Sequence, residues 1–488
     1  MSPRQSVVSP PPRSTATGPS RRSCLKLGIG GAALSLYPLR TLNAQPFGAT
    51  SWLDGDYLVD DASRIAVATD YGGAARRIPR ATVRARTAED IGRVVAYANG
   101  RRIKVAMRGQ GHSLSGQTLI DDGIVIESTA LNSIKYTSDD TLDVEAGALW
   151  GDVAKAGLAR GRLPPVMPDA MMLSVGGTLS VGGSGETGFR FGAQVDHVRG
   201  LDVVTGAGRV VSCSATHEPE LFHMVLAGMG QCGIIVRARL ALAPAAKFVV
   251  THALTYTDLD AFLADQAWLA DHAAPDLLNG RLIKTPQGTW NYVLTAGRVV
   301  SSADEAGETP DWIGSLHHAS AAAPVATPIW TYLDRRTASI MAGKAKAMPN
   351  PSLVLTLPAA ATTSFIIELL TSPALAIGIW FFEMSPKIPA RHGEPLQKMP
   401  ESALAYELRM QRRASALDAA DHRAMLAANA ALVATAMQGG GKVYPPFAPV
   451  LTAGQWREHY GAATWARFAA GKERFDPNVV LNPGAGIF

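Results

Sequence analysis

A glycine-rich stretch at residues 108–117 carries the side chains best suited to chemistry. It reads Arg-Gly-Gln-Gly-His-Ser-Leu-Ser-Gly-Gln and directly follows an apolar run at 103–107 that predicts a buried strand. Glycines let backbone N–H groups approach a pyrophosphate closely, and Ser113 and Ser115 add hydroxyl donors. The stretch therefore predicts a site that holds a phosphate-bearing ligand.

Two further glycine clusters follow, at residues 174–188 and 228–233. A single cluster indicates little, because glycines also serve tight turns in unrelated sheet proteins. Three clusters in succession favour one shared ligand, and separate tight turns are the alternative.

With two segments near the C-terminus, at 459–468 and 472–484, these clusters resemble the FAD-linked oxidases of the vanillyl-alcohol oxidase superfamily. Those enzymes have a PCMH-type FAD domain. Within the superfamily the sequence is most similar to cytokinin dehydrogenases, especially the cytokinin dehydrogenase-like proteins of bacteria. The resemblance covers residues 79–246 and resumes at the C-terminal signature. It implies FAD as the cofactor.

The resemblance also implies that His112 is bonded through its ring to the flavin. Such a bond can raise the reduction potential of the flavin and prevents loss of the cofactor. Met172 fills the position that carries a second, cysteinyl link in berberine-bridge-type relatives, so we expect one covalent link. A histidine that only forms hydrogen bonds in the turn is the alternative.

We expect the remaining contacts to FAD to come from the three clusters and from one tyrosine near the C-terminus. The candidate cofactor-binding residues besides His112 are Arg108, Gly109, Gln110, Gly111, Ser113, Gln117, Ser174, Gly176, Gly177, Ser180, Gly183, Gly185, Gly230, Gly233, Ile234 and Tyr444.

Asp169, just before the second cluster, is the candidate base. The resemblance implies that an Asp at this place accepts a proton from the substrate amine while hydride leaves the adjacent carbon for flavin N5. Removing hydride is easier when the neighbouring N–H or O–H is being deprotonated. The alternative is a turn or helix cap after Pro168.

The sequence departs from the plant enzymes at three positions, two of them in the predicted substrate region. Ser352 stands where they have a pocket tryptophan, and Asn279 replaces a glutamate. An aromatic wall and an acidic group would serve a flat adenine substrate through stacking and hydrogen bonds. Ala485 stands where a Gln follows Pro-Gly, which removes one possible contact to the flavin.

These residues together predict an FAD-dependent oxidoreductase that removes hydride from an amine or alcohol carbon. Cytokinin-like amines are the leading substrates, and sugar alcohols, lactones or aromatic alcohols are the alternative. We expect oxygen or a quinone to accept the electrons. From a different class, the chain could bind a flavin or nucleotide without turnover, although a carrier would not need Asp169 as a base.

The pattern of strands and helices that must position this site predicts an α+β fold. Short β-branched runs alternate with helical patterns from 79 to 246, and Thr87 is the predicted cap of an amphipathic helix that Gly100 stops. Alanine-rich helical patterns alternate with strands from 247 to 438. We further expect a helical stretch over residues 455–474, which Phe475-Asp-Pro stops.

The predicted domain boundary lies where the sequence pattern changes, after residue 246. A two-subdomain PCMH-type FAD-binding domain at 45–246, with its core at 79–246, precedes an inserted α/β substrate-binding domain at 247–440. Residues 441–488 then complete the FAD-binding domain.

The first 44 residues predict an export signal. They hold six of the 46 basic residues and no acidic one, which leaves 40 basic against 41 acidic residues in the remainder. Nucleic-acid binding is therefore not expected. The Ser-Arg-Arg-Ser motif at 20–23 before a short apolar run resembles a twin-arginine signal, so we expect a periplasmic or secreted protein. A basic, unstructured tail is the alternative.

The predicted mature chain keeps two cysteines, Cys213 and Cys232. Two thiols are too few for a disulfide framework, although one bond between them is compatible with an oxidising periplasm. We expect no metal site, because His217 and Cys213 are not accompanied by a second ligand pair. No later apolar run is long enough to predict stable membrane insertion.

Overall fold

The structure of the protein, a computed structural model, describes residues 52–73, 75–338, 340–341, 349–413, 419–449 and 451–488. The export signal predicted at residues 1–44 lies outside these ranges and stays a prediction. Within them, no helix combines the length and the apolar character that crossing a membrane requires.

Four strands form a first, mixed sheet. They are β1 (Asp56–Leu58), β2 (Ala81–Arg84), β3 (Val105–Arg108) and β4 (Ile124–Glu127), in the order β1-β2-β4-β3. The central strand β4 runs parallel to β2 and β3, whereas β1 is antiparallel to β2. Parallel strands covered on both faces read as continuous apolar runs. Ile124, Val125 and Ile126 are accordingly all buried.

The helix Ala88–Asn99 connects β2 to β3 and packs its buried face on this sheet. The Thr87 side chain accepts a hydrogen bond from the backbone N–H of Asp90, and the helix ends before Gly100, as the sequence predicts. Because β3 ends at Arg108, the glycine-rich stretch begins at the carboxyl end of a buried parallel strand.

Five strands form a second, antiparallel sheet in the order β5-β6-β10-β8-β9. They are β5 (Ile134–Ser138), β6 (Thr141–Glu145), β8 (Val198–Val204), β9 (Val210–Cys213) and β10 (Ile234–Ala241). A separate short pair joins β7 (Arg162–Leu163) to β11 (Ala243–Pro244).

The third sheet has nine strands in the described residues, in the order β15-β12-β14-β13-β18-β19-β17-β20, with β16 also on β12. They are β12 (Phe248–Tyr256), β13 (Leu277–Lys284), β14 (Trp290–Val300), β15 (Ser320–Ala321), β16 (Val325–Pro328), β17 (Leu353–Pro358), β18 (Ile379–Lys387), β19 (Ala405–Arg412) and β20 (Lys442–Val443). All their pairings are antiparallel, so the α/β class predicted for this region is wrong.

Helices flank the three sheets. Besides Ala88–Asn99, the α-helices before residue 440 in the described part of the chain are Asp61–Ala66, Trp150–Leu158, Val175–Leu179, Gly188–Phe191, Pro219–Val225, Leu259–Asp271, Ile329–Asp334, Ala359–Thr371 and Ala419–Gln438. Single 3-10 turns lie at Gln194–His197, Ala303–Gly307, Asp311–Ser315, Pro389–Arg391, Pro445–Phe447 and Pro483–Ala485.

The helical stretch predicted at 455–474 is confirmed, and it consists of two helices, Ala453–Tyr460 and Ala462–Phe475. Gly461 separates them with a φ of +74°, a conformation that glycine adopts without steric cost. The chain then returns to the first sheet, where Leu481 forms a parallel bridge with Val105.

Cys213 and Cys232 are both buried, unpaired thiols, so the disulfide that the sequence allowed is absent. Burial raises the pKa of each thiol to about 12, so both stay protonated and unreactive at neutral pH.

Candidate functional site

One cavity lies between the glycine-rich stretch, the helix Val175–Leu179, the start of β10 and the C-terminal segment. Its empty space is about 1170 Å³, counting the part open to solvent. Fourteen of the seventeen predicted cofactor-binding residues line it: Gly109, Gln110, Gly111, His112, Ser113, Gln117, Ser174, Gly176, Gly177, Ser180, Gly230, Gly233, Ile234 and Tyr444. The three glycine clusters, distant in sequence, therefore share one wall.

The glycines of this wall permit close approaches between its segments. A Cβ on Gly109 would lie 2.2 Å from Oγ of Ser174, and one on Gly176 would lie 2.6 Å from Cβ of Ala146. Gly111 has a φ of +65°, which larger residues rarely adopt. A larger residue at Gly176 would require a shift of the backbone, and one at Gly111 would be strained, whereas at Gly109 the close atom is the Ser174 hydroxyl. The wall thus exposes main chain rather than side chains to a ligand, which fits a cofactor with a pyrophosphate.

Three predicted cofactor-binding residues lie behind the wall instead of on it. The Arg108 guanidinium packs under the turn at Gly111, and burial lowers its pKa even though Asp70 lies nearby. Gly183 donates its backbone N–H to the Tyr444 hydroxyl at 3.3 Å, and Gly185 packs against the Met167 carbonyl. These three residues shape the wall and do not face the cavity.

A segment that sequence reasoning missed, residues 70–73, anchors the glycine-rich stretch. The buried Asp70 carboxylate accepts hydrogen bonds from Gly116 N at 2.7 Å, Ser113 Oγ at 3.1 Å and Gly73 N at 3.2 Å. Burial raises the pKa of Asp70, and the three donors oppose that rise. The only sequence signal was an Asp before two glycines, upstream of the predicted FAD core.

Asp169, the predicted base, lies just outside the cavity wall. Its Oδ2 accepts hydrogen bonds from Arg409 Nη1 at 2.8 Å and from Arg336 Nη1 at 3.1 Å. Burial alone would raise the pKa of Asp169, but the two guanidinium groups outweigh it and hold the pKa at about 2. Arg409 also lies 5.5 Å from the ring centroid of Phe447, which is on the wall. A single side chain therefore connects Asp169 to the cavity.

Further charged residues join this cluster from neighbouring strands. Glu383 on β18 accepts hydrogen bonds from Arg336 and from the Asn279 amide. The carboxylate that the sequence lacks at position 279 is thus present on the adjacent strand, where Arg336 pairs with it. Sequence reasoning missed Arg336, Arg409 and Glu383. For Glu383 and Arg409 the available signal was an ionisable residue within a strand, because such residues are rarely buried unless they are paired.

Ser352 and Ala485, the other two positions that differ from the plant enzymes, both form hydrogen bonds within the protein. Ser352 is buried, and its hydroxyl donates to Asn350 Oδ1 at 2.6 Å and accepts from Arg412 N at 3.3 Å. The carbonyl of buried Ala485 accepts a hydrogen bond from Trp456 Nε1 at 3.2 Å. Neither residue is on the cavity wall.

Comparison with known proteins gives two family matches. Residues 79–214 match the FAD binding domain, and residues 394–488 match the family described as cytokinin dehydrogenase 1, FAD and cytokinin binding.

Individual relatives match over most of the chain. An uncharacterized oxidoreductase, ORF5 in the fasciation locus of Rhodococcoides fascians, is 31% identical over 88% of this chain and 99% of its own length. Cytokinin dehydrogenase 4 of Oryza sativa subsp. japonica is 30% identical over 97% of this chain and 98% of its own. Cytokinin dehydrogenase 4 of Arabidopsis thaliana is 39% identical, over 46% of this chain and 47% of its own.

Proposed function

Because the chain belongs to the cytokinin dehydrogenase-like family of FAD-dependent oxidoreductases, we propose that it removes hydride from the amine-bearing carbon of a cytokinin-like substrate. One observation carries this proposal. The cavity is lined by residues from all three glycine clusters, and the Asp169 carboxylate lies one side chain behind its wall.

The residues of the cavity have distinct roles in this proposal. When bound, FAD supplies the ring that accepts the hydride at N5. His112 holds the flavin through one covalent bond, and Met172 provides no second link. Gly109 and Gly176 let the main chain approach the pyrophosphate, because both line the cavity and neither has a side chain.

Asp169 accepts the proton from the substrate N–H in this proposal. Its low pKa keeps the carboxylate ionised at every pH at which the enzyme is expected to work. The hydrogen bonds from Arg336 and Arg409 are both to Oδ2. A carboxylate held in this way is a weak base. We therefore infer that the contact with Arg409 loosens when substrate binds.

A second substrate class is favoured by the polar surroundings of Asp169. Arg336, Arg409 and Glu383 cluster there, and Ser352 provides no aromatic wall. Hydrogen-bonding groups suit a hydroxyl-rich molecule better than a flat aromatic one. This argument favours sugar alcohols and lactones within the second class, which also includes aromatic alcohols. Oxygen or a quinone is the electron acceptor in either case.

The finer organisation of the chain is also part of the proposal. The first and second sheets form two subdomains of the FAD-binding domain. Residues 247–440 form an inserted substrate-binding domain, and residues 441–488 complete the FAD-binding domain. The bridge between Leu481 and Val105 supports this last assignment. Residues 1–44 direct export to the periplasm by the twin-arginine route.

A substrate panel tests the function. Purified protein is mixed without oxygen with N6-alkyladenines, sugar alcohols, lactones and aromatic alcohols, and bleaching of the flavin absorbance is recorded. We expect N6-alkyladenines to bleach the flavin fastest, and a dye acceptor to restore the colour. Bleaching only by alcohols would favour the second class, and bleaching by no compound would contradict both.

A further inference from the structure

Residues 70–73 pair with the glycine-rich stretch on both sides of His112. Tyr71 N donates to the Gly111 carbonyl at 2.9 Å, and Gly72 N donates to the Ser113 carbonyl at 3.1 Å. This segment precedes residues 79–214, which match the FAD binding domain. It nevertheless holds the backbone immediately before and after the candidate attachment residue.

The side chain of Tyr71 also contacts His112 directly. The two rings are stacked, with centroids 4.1 Å apart and planes 11° from parallel. The Tyr71 hydroxyl is hydrogen-bonded to the Asn350 side chain, and Asn350 N donates to the Gly72 carbonyl at 2.9 Å. The tyrosine ring is thus held at both ends, and its face restricts the imidazole to one plane.

We propose that Tyr71 is a positioning residue for the covalent attachment of FAD to His112, an inference that rests on the link proposed above. A nucleophile must meet its target atom at a defined angle, and a misplacement of about 1 Å can slow a reaction roughly a hundredfold. A fixed ring plane holds the imidazole nitrogen in one direction, and this would favour its approach to a flavin bound in the cavity.

Attachment of the flavin to His112 needs an oxidant, because a C–H bond of the flavin is replaced by a C–N bond. A ring nitrogen of His112 bonds to the methyl carbon on the benzenoid ring of the flavin. One proton leaves that methyl group and one leaves the imidazole, and the flavin takes up both protons with the electron pair. Dioxygen then removes two electrons and two protons, forming one hydrogen peroxide and leaving oxidised, attached flavin. Tyr71 enters none of these bonds and acts only through the orientation of His112.

Variants at position 71 test the proposal. Protein from cells short of riboflavin is given FAD and dioxygen, aliquots are precipitated in acid, and flavin that stays with the polypeptide is measured over time. The variants are Tyr71→Phe, which keeps the stacked ring, Tyr71→Ala, which removes it, and His112→Ala. Tyr136→Ala is the matched control, because Tyr136 is a half-buried tyrosine that does not line the cavity. Peroxide, total bound FAD and melting temperature are recorded for each.

We expect Tyr71→Phe and Tyr136→Ala to attach flavin at the wild-type rate, with one peroxide for each flavin. Tyr71→Ala should attach it about tenfold to a hundredfold more slowly, while binding as much FAD before precipitation. Equal rates for Tyr71→Ala and wild type would overturn the role of Tyr71 alone, as would equal slowing by Tyr136→Ala. Release of all flavin by wild-type protein would overturn the covalent link, and with it this role.

Discussion

Arg409 Nη1 donates a hydrogen bond to Asp169 Oδ2 across 2.8 Å, and this contact joins β19 to the loop before the helix Val175–Leu179. Both side chains are mostly withdrawn from solvent, with exposed fractions of 17% and 14%. A charge-assisted hydrogen bond of this kind is strong where water is scarce. The contact therefore governs how readily Asp169 can take up a proton.

Replacing Arg409 with Gln should raise the pKa of Asp169. Loss of a nearby positive charge destabilises the ionised carboxylate, so the pKa rises from about 2 by roughly one unit or more. The acidic limb of the pH profile of kcat/KM, where activity falls as Asp169 becomes protonated, should then move to higher pH. The profile of wild-type protein should show no limb from Asp169 between pH 4 and 7, because the carboxylate is already ionised there.

The measurement is the pH dependence of flavin reduction under anaerobic conditions. Arg281→Gln is the control, since Arg281 lies over the Phe381 ring on the same sheet, 4.7 Å from its centroid. An unchanged acidic limb in Arg409→Gln would contradict the control of Asp169 by Arg409.

Replacing Asp169 with Asn tests the base itself. Asn has nearly the same shape but cannot accept the proton, so turnover should fall about a hundredfold or more. FAD content should stay at the wild-type level, because Asp169 is not on the cavity wall. Flavin absorbance and kcat are measured on the same sample, and the melting temperature shows whether Arg336 and Arg409 tolerate the lost charge. Wild-type turnover would rule out proton abstraction by Asp169.

Alanine substitutions at two neighbouring glycines should distinguish an effect on the stability of the fold from an effect on cofactor binding. A Cβ at Gly176 would lie 2.6 Å from Cβ of Ala146 and 3.1 Å from its carbonyl oxygen, so Gly176→Ala should lower the melting temperature. At Gly177 the close atom is Oγ of Ser174, at 2.8 Å, which can rotate away. Gly177→Ala should therefore fold normally and add a methyl group to the cavity wall.

Thermal unfolding and FAD titration of the two apo variants check this pair. We expect Gly177→Ala to bind FAD about tenfold more weakly, a loss of roughly 1.4 kcal/mol, with an unchanged melting temperature. Equal behaviour of the two variants would contradict the assignment of Gly177 to the binding surface.

The cavity wall was more predictable from sequence than the cluster around Asp169. Glycines such as Gly111 and Gly116 have positive φ angles, which are a requirement of the local backbone, and local requirements leave a pattern in the sequence. Arg409 and Glu383 come from separate strands of the third sheet, and their meeting with Asp169 depends on strand register over long sequence distances. Tyr71 was missed for the same reason, since its contact with His112 spans two segments with no shared periodicity.

His459 should make the protein sensitive to acid. It is buried between Trp456 and Tyr460, and within the described residues neither ring nitrogen has a hydrogen-bond partner. Burial, with Lys442 and Lys398 nearby, lowers the pKa of His459 to about 3. An unfolded histidine has a pKa near 6.5, so below that pH the unfolded chain takes up a proton that the folded protein refuses.

The free energy of unfolding should therefore decline as the pH falls from 6.5 toward 3, by up to about 1.4 kcal/mol per pH unit from this residue. His459→Phe keeps an aromatic ring in the site and cannot bind a proton, so between pH 7 and 5 it should lose about 2 kcal/mol less than wild type. Urea unfolding at both pH values gives the comparison. His272→Phe, at an exposed histidine stacked on Trp268, should behave as wild type. Equal pH sensitivity of His459→Phe and wild type would mean that His459 is not the group that resists protonation.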